Sequence, residues 1–226
     1  MIHTIRKMSP LLCGPLLWFG AAPVHAAGGH YAVDDATLVD PGRCQLEAWY
    51  THADSNNRSV TALPACNVTG NLELTLGMAR EWLEDGNDTE VEFAGKTLLR
   101  DMEEGGIGVA LSVATFWRNE TDRFEAVEVV LPVSVPVNDR LLTHVNVGWG
   151  RERGEQDDAL WGVGAELDLV HGISLIGETY GSHRGGTRLG AGLRYGIGPV
   201  DLDLAWDRSR AERRDDAVIA GFAVAF

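Results

Sequence analysis

GTRLGAGLRYGIGPVDLDLAWDRS, residues 186–209, is the stretch whose reading decides the fold. In its second half Val200, Leu202, Leu204 and Trp206 alternate with Asp201, Asp203, Ala205 and Asp207. In its first half Leu189, Ala191, Leu193, Tyr195 and Ile197 alternate with Arg188, Gly190, Gly192, Arg194 and Gly196. A period of two puts each set on its own face of a strand. Helical spacing would scatter Asp201, Leu202, Leu204 and Asp207 around the cylinder and leave no single apolar stripe. The glycines oppose helix as well. Gly196-Ile197-Gly198-Pro199 separates the two runs with turn chemistry, so the stretch reads as a hairpin.

The same pattern extends outward to both ends of the chain. Trp161, Val163, Ala165, Leu167 and Leu169 alternate with Gly162, Gly164, Glu166 and Asp168. Applied throughout, it predicts twelve strands: 43–53, 58–68, 71–83, 89–101, 106–117, 123–135, 140–152, 158–169, 172–182, 186–197, 200–209 and 216–226. Tight turns such as Pro136-Val137-Asn138-Asp139 and Val170-His171-Gly172 alternate with wetter connections such as Arg151 to Asp158 and Ser209 to Asp216. Short turns at one end and longer polar loops at the other are the layout of a transmembrane, antiparallel, up-and-down β-barrel. The turn from Asp101 to Gly106 fits least well. An even strand count places both termini on the short-turn, periplasmic side. The last strand ends on Phe226, a terminal aromatic of the kind the outer-membrane barrel assembly machinery reads.

The N-terminus predicts export. Arg6 and Lys7 precede an apolar stretch from Leu11 to Ala22, and Val24-His25-Ala26 offers a small-x-small cleavage site. The expected division is a signal peptide over 1–26, a periplasmic N-terminal segment over 27–42 and the barrel over 43–226. Cys13 belongs to the discarded peptide. Cleavage leaves 200 of the 226 residues and removes two of the 19 basic residues, so 17 stand against 33 acidic ones and the net charge is −16. That balance excludes nucleic acid as a partner, because phosphate binding needs basic residues to displace counterions. No stretch beyond residue 26 reaches the ~20 apolar residues of a membrane helix. A membrane reading therefore rests on strands.

Periodicity does not say which face is lipid and which is water; side-chain size does. One face carries Leu, Val, Trp and Tyr. The other mixes glycines with Asp, Glu, Arg, Lys and His. Small residues interleaved with charges suit a narrow wet lumen better than the outer surface of a soluble sandwich or lipocalin-like barrel. Trp49, Trp82, Trp117, Trp149, Trp161 and Trp206 fall near predicted strand ends, where aromatic girdles meet the bilayer interfaces.

The mature chain has two cysteines in an oxidising compartment. If the first two strands pair around Ser55, residue i faces residue 110 − i, and Cys44 faces Cys66. A cross-strand disulfide is preferred to a metal or redox site, since no histidine lies near in sequence. The scattered His30, His52, His171 and His183 have no metal-site spacing, and no cofactor motif is present.

A resemblance then becomes legible. Asp34-Asp35-Ala36, Pro41-Gly42, Gln45-Leu46-Glu47, Val68-Thr69-Gly70-Asn71-Leu72-Glu73-Leu74 and Lys96 together resemble the transporter family named after the meta-pathway of phenol degradation. It covers residues 33–115 by motif and the remainder by strand layout. Cys66-Asn67 stands where that pattern has Tyr-Gly. The resemblance implies a Gram-negative outer-membrane barrel passing small, hydrophobic or aromatic compounds.

Alternation predicts the lumen residues. From the first half of the barrel come Glu47, Glu73, Glu92, Lys96, Arg100 and Glu128. From the second come His144, Asn146, Glu166, Asp168, Glu178, Arg188, Arg194, Asp201, Asp203 and Asp207. Two readings stay open. A ring of carboxylates would select cations or polar neutral solutes. Alternatively Lys96, Arg100, Arg188 and Arg194 pair with neighbouring carboxylates in a plugged, purely structural network. Enzymatic lipid hydrolysis needs a serine within about 3 Å of a base. Among Ser112, Ser134, Ser174 and Ser182, with His144 or His183, Ser134 and His144 come nearest. Pairing around Asn138 sets Ser134 opposite Leu142 and only diagonal to His144, so no enzyme is expected. Outer-membrane lipid is the surrounding medium. The run Arg208-Ser209-Arg210-Ala211-Glu212-Arg213-Arg214 is a solvated loop that could also meet lipopolysaccharide phosphates.

Overall fold

A computed structural model of the protein describes residues 30–226, except 55, 56, 85, 103–105 and 211–214. The expected signal peptide and the tip of the arginine-rich loop lie outside the described residues. Twelve strands follow in order: β1 Cys44–Ala53, β2 Arg58–Asn67, β3 Glu73–Leu83, β4 Gly86–Arg100, β5 Gly108–Arg118, β6 Arg123–Asn138, β7 Leu141–Glu152, β8 Asp158–Asp168, β9 Ile173–Ser182, β10 Gly186–Ile197, β11 Val200–Ser209 and β12 Asp216–Ala225. Each pairs antiparallel with its sequence neighbour, and β1 pairs with β12 to close the barrel. Every strand lies within three residues of its expected bounds. Closure satisfies the edge hydrogen bonds that an open sheet would leave to lipid.

The two faces separate as the alternation requires. On β11, Leu204 is 58% exposed and Asp203 beside it 6%. Exposed Leu74, Leu76, Met78, Val145, Val147, Val163 and Leu193 continue the outward apolar band. In water such a surface would be a large exposed hydrophobic patch; in a bilayer it is the solvated face.

Some expectations are corrected. The length asymmetry of the connections is absent. At the end distant from the chain termini they run from two residues, 84–85, to six, 210–215; at the terminal end the longest is 101–107. The β3–β4 ladder runs to Leu83↔Gly86, so residues 86–88, expected in a loop, are paired. Trp82, Trp149 and Trp161 are exposed at the distal end. Trp49 is not part of this girdle. It pairs with Gly221, and a Cβ there would stand 2.8 Å from the Trp49 Cβ on the inward face.

At Pro64 and Pro132 the ladder is interrupted and the register is kept. The β2–β3 pairing skips Leu63 and Pro64 and resumes at Ala65↔Thr75. The β5–β6 pairing skips the turn of ladder at Pro132, which is fully buried. Proline has no N–H to donate there. Bulges follow Leu98, Phe116 and Pro136 and shift facing locally.

Cys44 faces Cys66 in the β1–β2 register, and the two form a disulfide with Cα atoms 4.0 Å apart. It sits at the terminal end, beside the reciprocal bonds Cys44 N–H to the Phe226 carbonyl (3.0 Å) and Phe226 N–H to the Cys44 carbonyl (2.8 Å).

Candidate functional site: an occupied lumen

Inward positions on the wall carry the charges. Glu47, Glu73, Lys96, His144, Asn146, Arg194, Asp201, Asp203 and Asp207 are buried. Glu92 and Glu128 line one internal cavity, and Glu166 and Glu178 line another. Asp168 has the same facing at the terminal rim, where it is exposed and accepts from the Ser174 hydroxyl at 2.7 Å. Arg100 departs from the expected set. The bulge after Leu98 makes it partner Val109, so its facing flips and it is exposed.

The cations inside are paired. The Arg194 Nε donates to Asp203 at 3.0 Å and its guanidinium lies 3.8 Å from Glu166. Arg188 Nε donates to Asp207 at 2.7 Å, and the Tyr180 hydroxyl donates to the same carboxylate at 2.8 Å. Near the distal end Arg118 joins Glu90 at 2.8 Å, with Asp88 at 3.4 Å and Glu81 at 3.5 Å. Buried charges are tolerable when matched in this way.

Of the segment expected in the periplasm, residues 30–42 are described; residues 31–39 lie inside the barrel and residues 40–42 are exposed at its terminal end. The segment rises from the terminal end, with Val39 N–H donating to Glu73 (2.9 Å) and its carbonyl accepting from Asn67 (2.8 Å). Ala36 is 1% exposed, and its N–H donates to the Ser134 hydroxyl at 2.8 Å. Asp34 and Asp35 meet Lys96 Nζ at 2.8 and 3.3 Å. Val33 N–H donates to Glu178 at 2.9 Å. Tyr31 ends the climb near β10, with the Arg194 guanidinium 5.6 Å from its ring centroid.

Glycine makes the space. A Cβ on Gly162 would stand 2.8 Å from a Val33 methyl, one on Gly164 3.2 Å from the other, and one on Gly108 3.1 Å from the Ala36 Cβ. Glycine inside a strand gives room because it has no side chain, which the sequence alone implies. What fills that room is not readable there. The available signal was the acidic pair Asp34-Asp35 ahead of the barrel, matching a lone lumen lysine.

Beside the segment and beyond it, the lumen is hollow. One cavity of about 260 Å³ is lined by Glu47, Glu92, Glu128, Lys96 and Tyr31. A second of about 370 Å³ adds Gly148, Tyr180 and Arg188, and a third of about 280 Å³ reaches Gln156 and Arg184 at the distal loops. Glu128 lines all three. Neither Glu92 nor Glu128 has an ion pair among the described residues. The described residues contain no cluster of metal-ligating side chains.

The Ser134–His144 geometry is a correction. β6 runs on to Asn138 and the hairpin turns at residues 139–140, so the ladder centres on residue 139 rather than 138 and Ser134 stands directly opposite His144, with Oγ and Nδ1 2.8 Å apart. The same Oγ accepts the Ala36 N–H at 2.8 Å. Ser134 is fully buried beneath the segment, which gives the pair a structural task.

A closed antiparallel barrel of twelve strands, apolar outside and charged within, defines an outer-membrane β-barrel of the porin-like class. The chain belongs to the family described as "Uncharacterised conserved protein UCP029691", whose model matches residues 16–226. The match does not confirm the resemblance to the phenol meta-pathway transporters, which is borne out as far as the outer-membrane barrel. No curated protein sequence matches the chain. Among solved structures it is similar to the KdgM porin in complex with disordered oligogalacturonate, with TM-score 0.67, 8% identity, and 80% of this chain covering 99% of that one. It is similar to the NanC porin, with TM-score 0.64, 10% identity and coverage of 79% and 98%. It is also similar to the Acinetobacter baumannii outer membrane protein Omp33, with TM-score 0.52, 10% identity and coverage of 84% and 100%. At such identities the likeness is one of fold.

Proposed function

We propose that this barrel is an outer-membrane channel for small cationic or polar neutral compounds, closed at its periplasmic end by its own N-terminal segment. The observation that carries this reading is the pair Glu92 and Glu128, carboxylates without ion pairs among the described residues, on a hollow that extends to the distal loops. Carboxylates in a low-dielectric passage attract cations and repel anions. A polyanion such as the oligogalacturonate bound to the KdgM porin would be disfavoured here. The lining also favours charged or polar solutes over the hydrophobic or aromatic compounds that the phenol-pathway resemblance implies.

A second reading has its own observation: the segment occupies part of the lumen and the lumen cations are held in ion pairs, as in a structural barrel. Planar-bilayer recordings of residues 27–226 separate the two. The channel reading expects infrequent, cation-preferring openings in the wild type. Lys96→Met should raise the open fraction at least about tenfold, since breaking a buried pair costs about 3–5 kcal/mol. Adding Glu92→Gln and Glu128→Gln should remove most of the cation preference. Silence of a folded Lys96→Met barrel would establish the structural reading.

The Ser134–His144 pair is assigned no chemistry, and the protein is read as no enzyme. Phe226 is read as the assembly-machinery signal. The basic distal loop is read as solvated, near lipopolysaccharide.

A further inference from the structure

The segment in the lumen is held mostly by its main chain. Glu178 on β9 accepts the N–H groups of Ala32 (3.3 Å) and Val33 (2.9 Å). With its amide turned to satisfy both partners, Asn146 on β7 accepts from Asp34 N–H (2.7 Å) and donates to the Asp34 carbonyl (2.8 Å). Ser134 on β6 accepts Ala36 N–H, Glu73 on β3 accepts Val39 N–H, and Asn67 on β2 donates to the Val39 carbonyl. Five wall side chains from five strands thus meet five N–H and two carbonyl groups over residues 32–39. Any extended peptide presents those groups, whatever its side chains.

Side-chain recognition is confined to a few places. Lys96 meets the acidic pair, and the shelf of Gly162 and Gly164 receives a β-branched residue. The segment is also separate from the wall. None of residues 31–43 enters a strand, and all twelve ladders close without them. The exposed tether Pro41-Gly42-Arg43 is what joins the segment to β1.

We propose that the lumen is a binding site for an extended peptide carrying an adjacent acidic pair, read through its main chain, and that residues 31–39 are its resident ligand in cis. A peptide of that class arriving from outside the chain competes for the same wall groups. The site does not depend on conduction: a silent barrel holds a peptide equally well.

The test starts from the full mature chain with a protease site inserted between Pro41 and Gly42. The barrel is folded with the segment in place and then cut, so that only noncovalent contacts retain it. A fluorescent peptide of residues 30–40 is added in excess, and barrel-bound label is measured after gel filtration. The labelled peptide is expected to replace the cut segment. A competitor N-methylated at Val33, Ala36 and Val39 loses three donors with its side chains unchanged and should compete at least about tenfold worse. A competitor keeping Asp34-Asp35 with alanine at Val33 and Val39 should stay within a few-fold of the original. Failure of the label to enter, whether or not the cut segment leaves, overturns the proposal, and so does equal competition by the N-methylated peptide.

Should the inserted site prevent folding, amide hydrogen exchange on the unmodified chain supplies the same decision. Release of a resident ligand predicts that the amides of Val33, Ala36 and Val39 exchange by a local opening, well before those of the strands. Exchange of those amides only with global unfolding overturns the proposal. Peptide entry into a barrel that never conducts would remove the channel reading alone; conduction without peptide entry would remove this one alone.

Discussion

Gly162 and Val33 show how much depends on one missing methyl. A Cβ at Gly162 would stand 2.8 Å from a Val33 methyl, whereas at Gly177, which shares the outward face of β9 with Leu175, nothing lies within 4 Å. Gly162→Val should therefore loosen the segment by about 1–3 kcal/mol through overpacking. Gly177→Val should stay within about 0.5 kcal/mol of wild type. Protection of residues 31–40 from proteolysis, compared across the two variants, is the measurement. Ser134→Ala is a second probe. It strands the buried Ala36 N–H and the His144 nitrogen together, for about 1–3 kcal/mol, without changing the shape of the wall. A loss as large as that of Gly162→Val, with no change in activity toward any ester, is the outcome expected of a structural hydroxyl.

Among the elements, the β1–β2 hairpin and the β1–β12 seam carry the closure. The disulfide spans 22 residues of chain and fastens the hairpin where the segment enters. Its removal by Cys44→Ala with Cys66→Ala should lower stability by about 3 kcal/mol. Denaturant titration of the refolded barrel, followed by the gel shift between folded and unfolded forms, reads that loss. The pairing itself was legible in the sequence, because the Ser55-centred register left Cys44 opposite Cys66 and nothing bulged between them. The β6–β7 register was not legible. The turn at residues 139–140, one residue later than the expected centre at Asn138, moved Ser134 from a diagonal to a direct partner of His144. Arg100 was misplaced for another reason: one extra residue at Leu99 turned an expected lumen cation outward. Alternation fixes facing within an uninterrupted strand, and a bulge inverts everything beyond it.

The whole molecule is inside out relative to a soluble protein, and substitutions should follow that rule. Leu204→Arg on the lipid face should cost about 2–4 kcal/mol in bilayer refolding. Leu204 stands well inside β11 and is 58% exposed. Asp203→Asn, one residue along, acts differently, by weakening the hold on Arg194. An unchanged refolding equilibrium for Leu204→Arg would contradict a membrane-embedded exterior. The lumen charges act together over the interior, so the cation preference expected of the Lys96→Met barrel should fall as ionic strength rises and the field of Glu92 and Glu128 is screened.

The strand number, the order of pairing, the apolar exterior and the charged interior follow from local periodicity, turn chemistry and an even count, all of which reside in neighbouring residues. The partner of Cys44 follows from the same arithmetic. Two things needed the tertiary structure: the local registers at Arg100 and Ser134, and above all the occupant of the lumen. Residues 31–40 have no periodicity to read, and their partners Glu73, Lys96, Ser134, Asn146 and Glu178 lie 34 to 146 positions away in sequence. Whether a carboxylate inside a barrel faces a cation, a passing solute or the backbone of its own chain is settled by three-dimensional proximity, which no window of sequence contains.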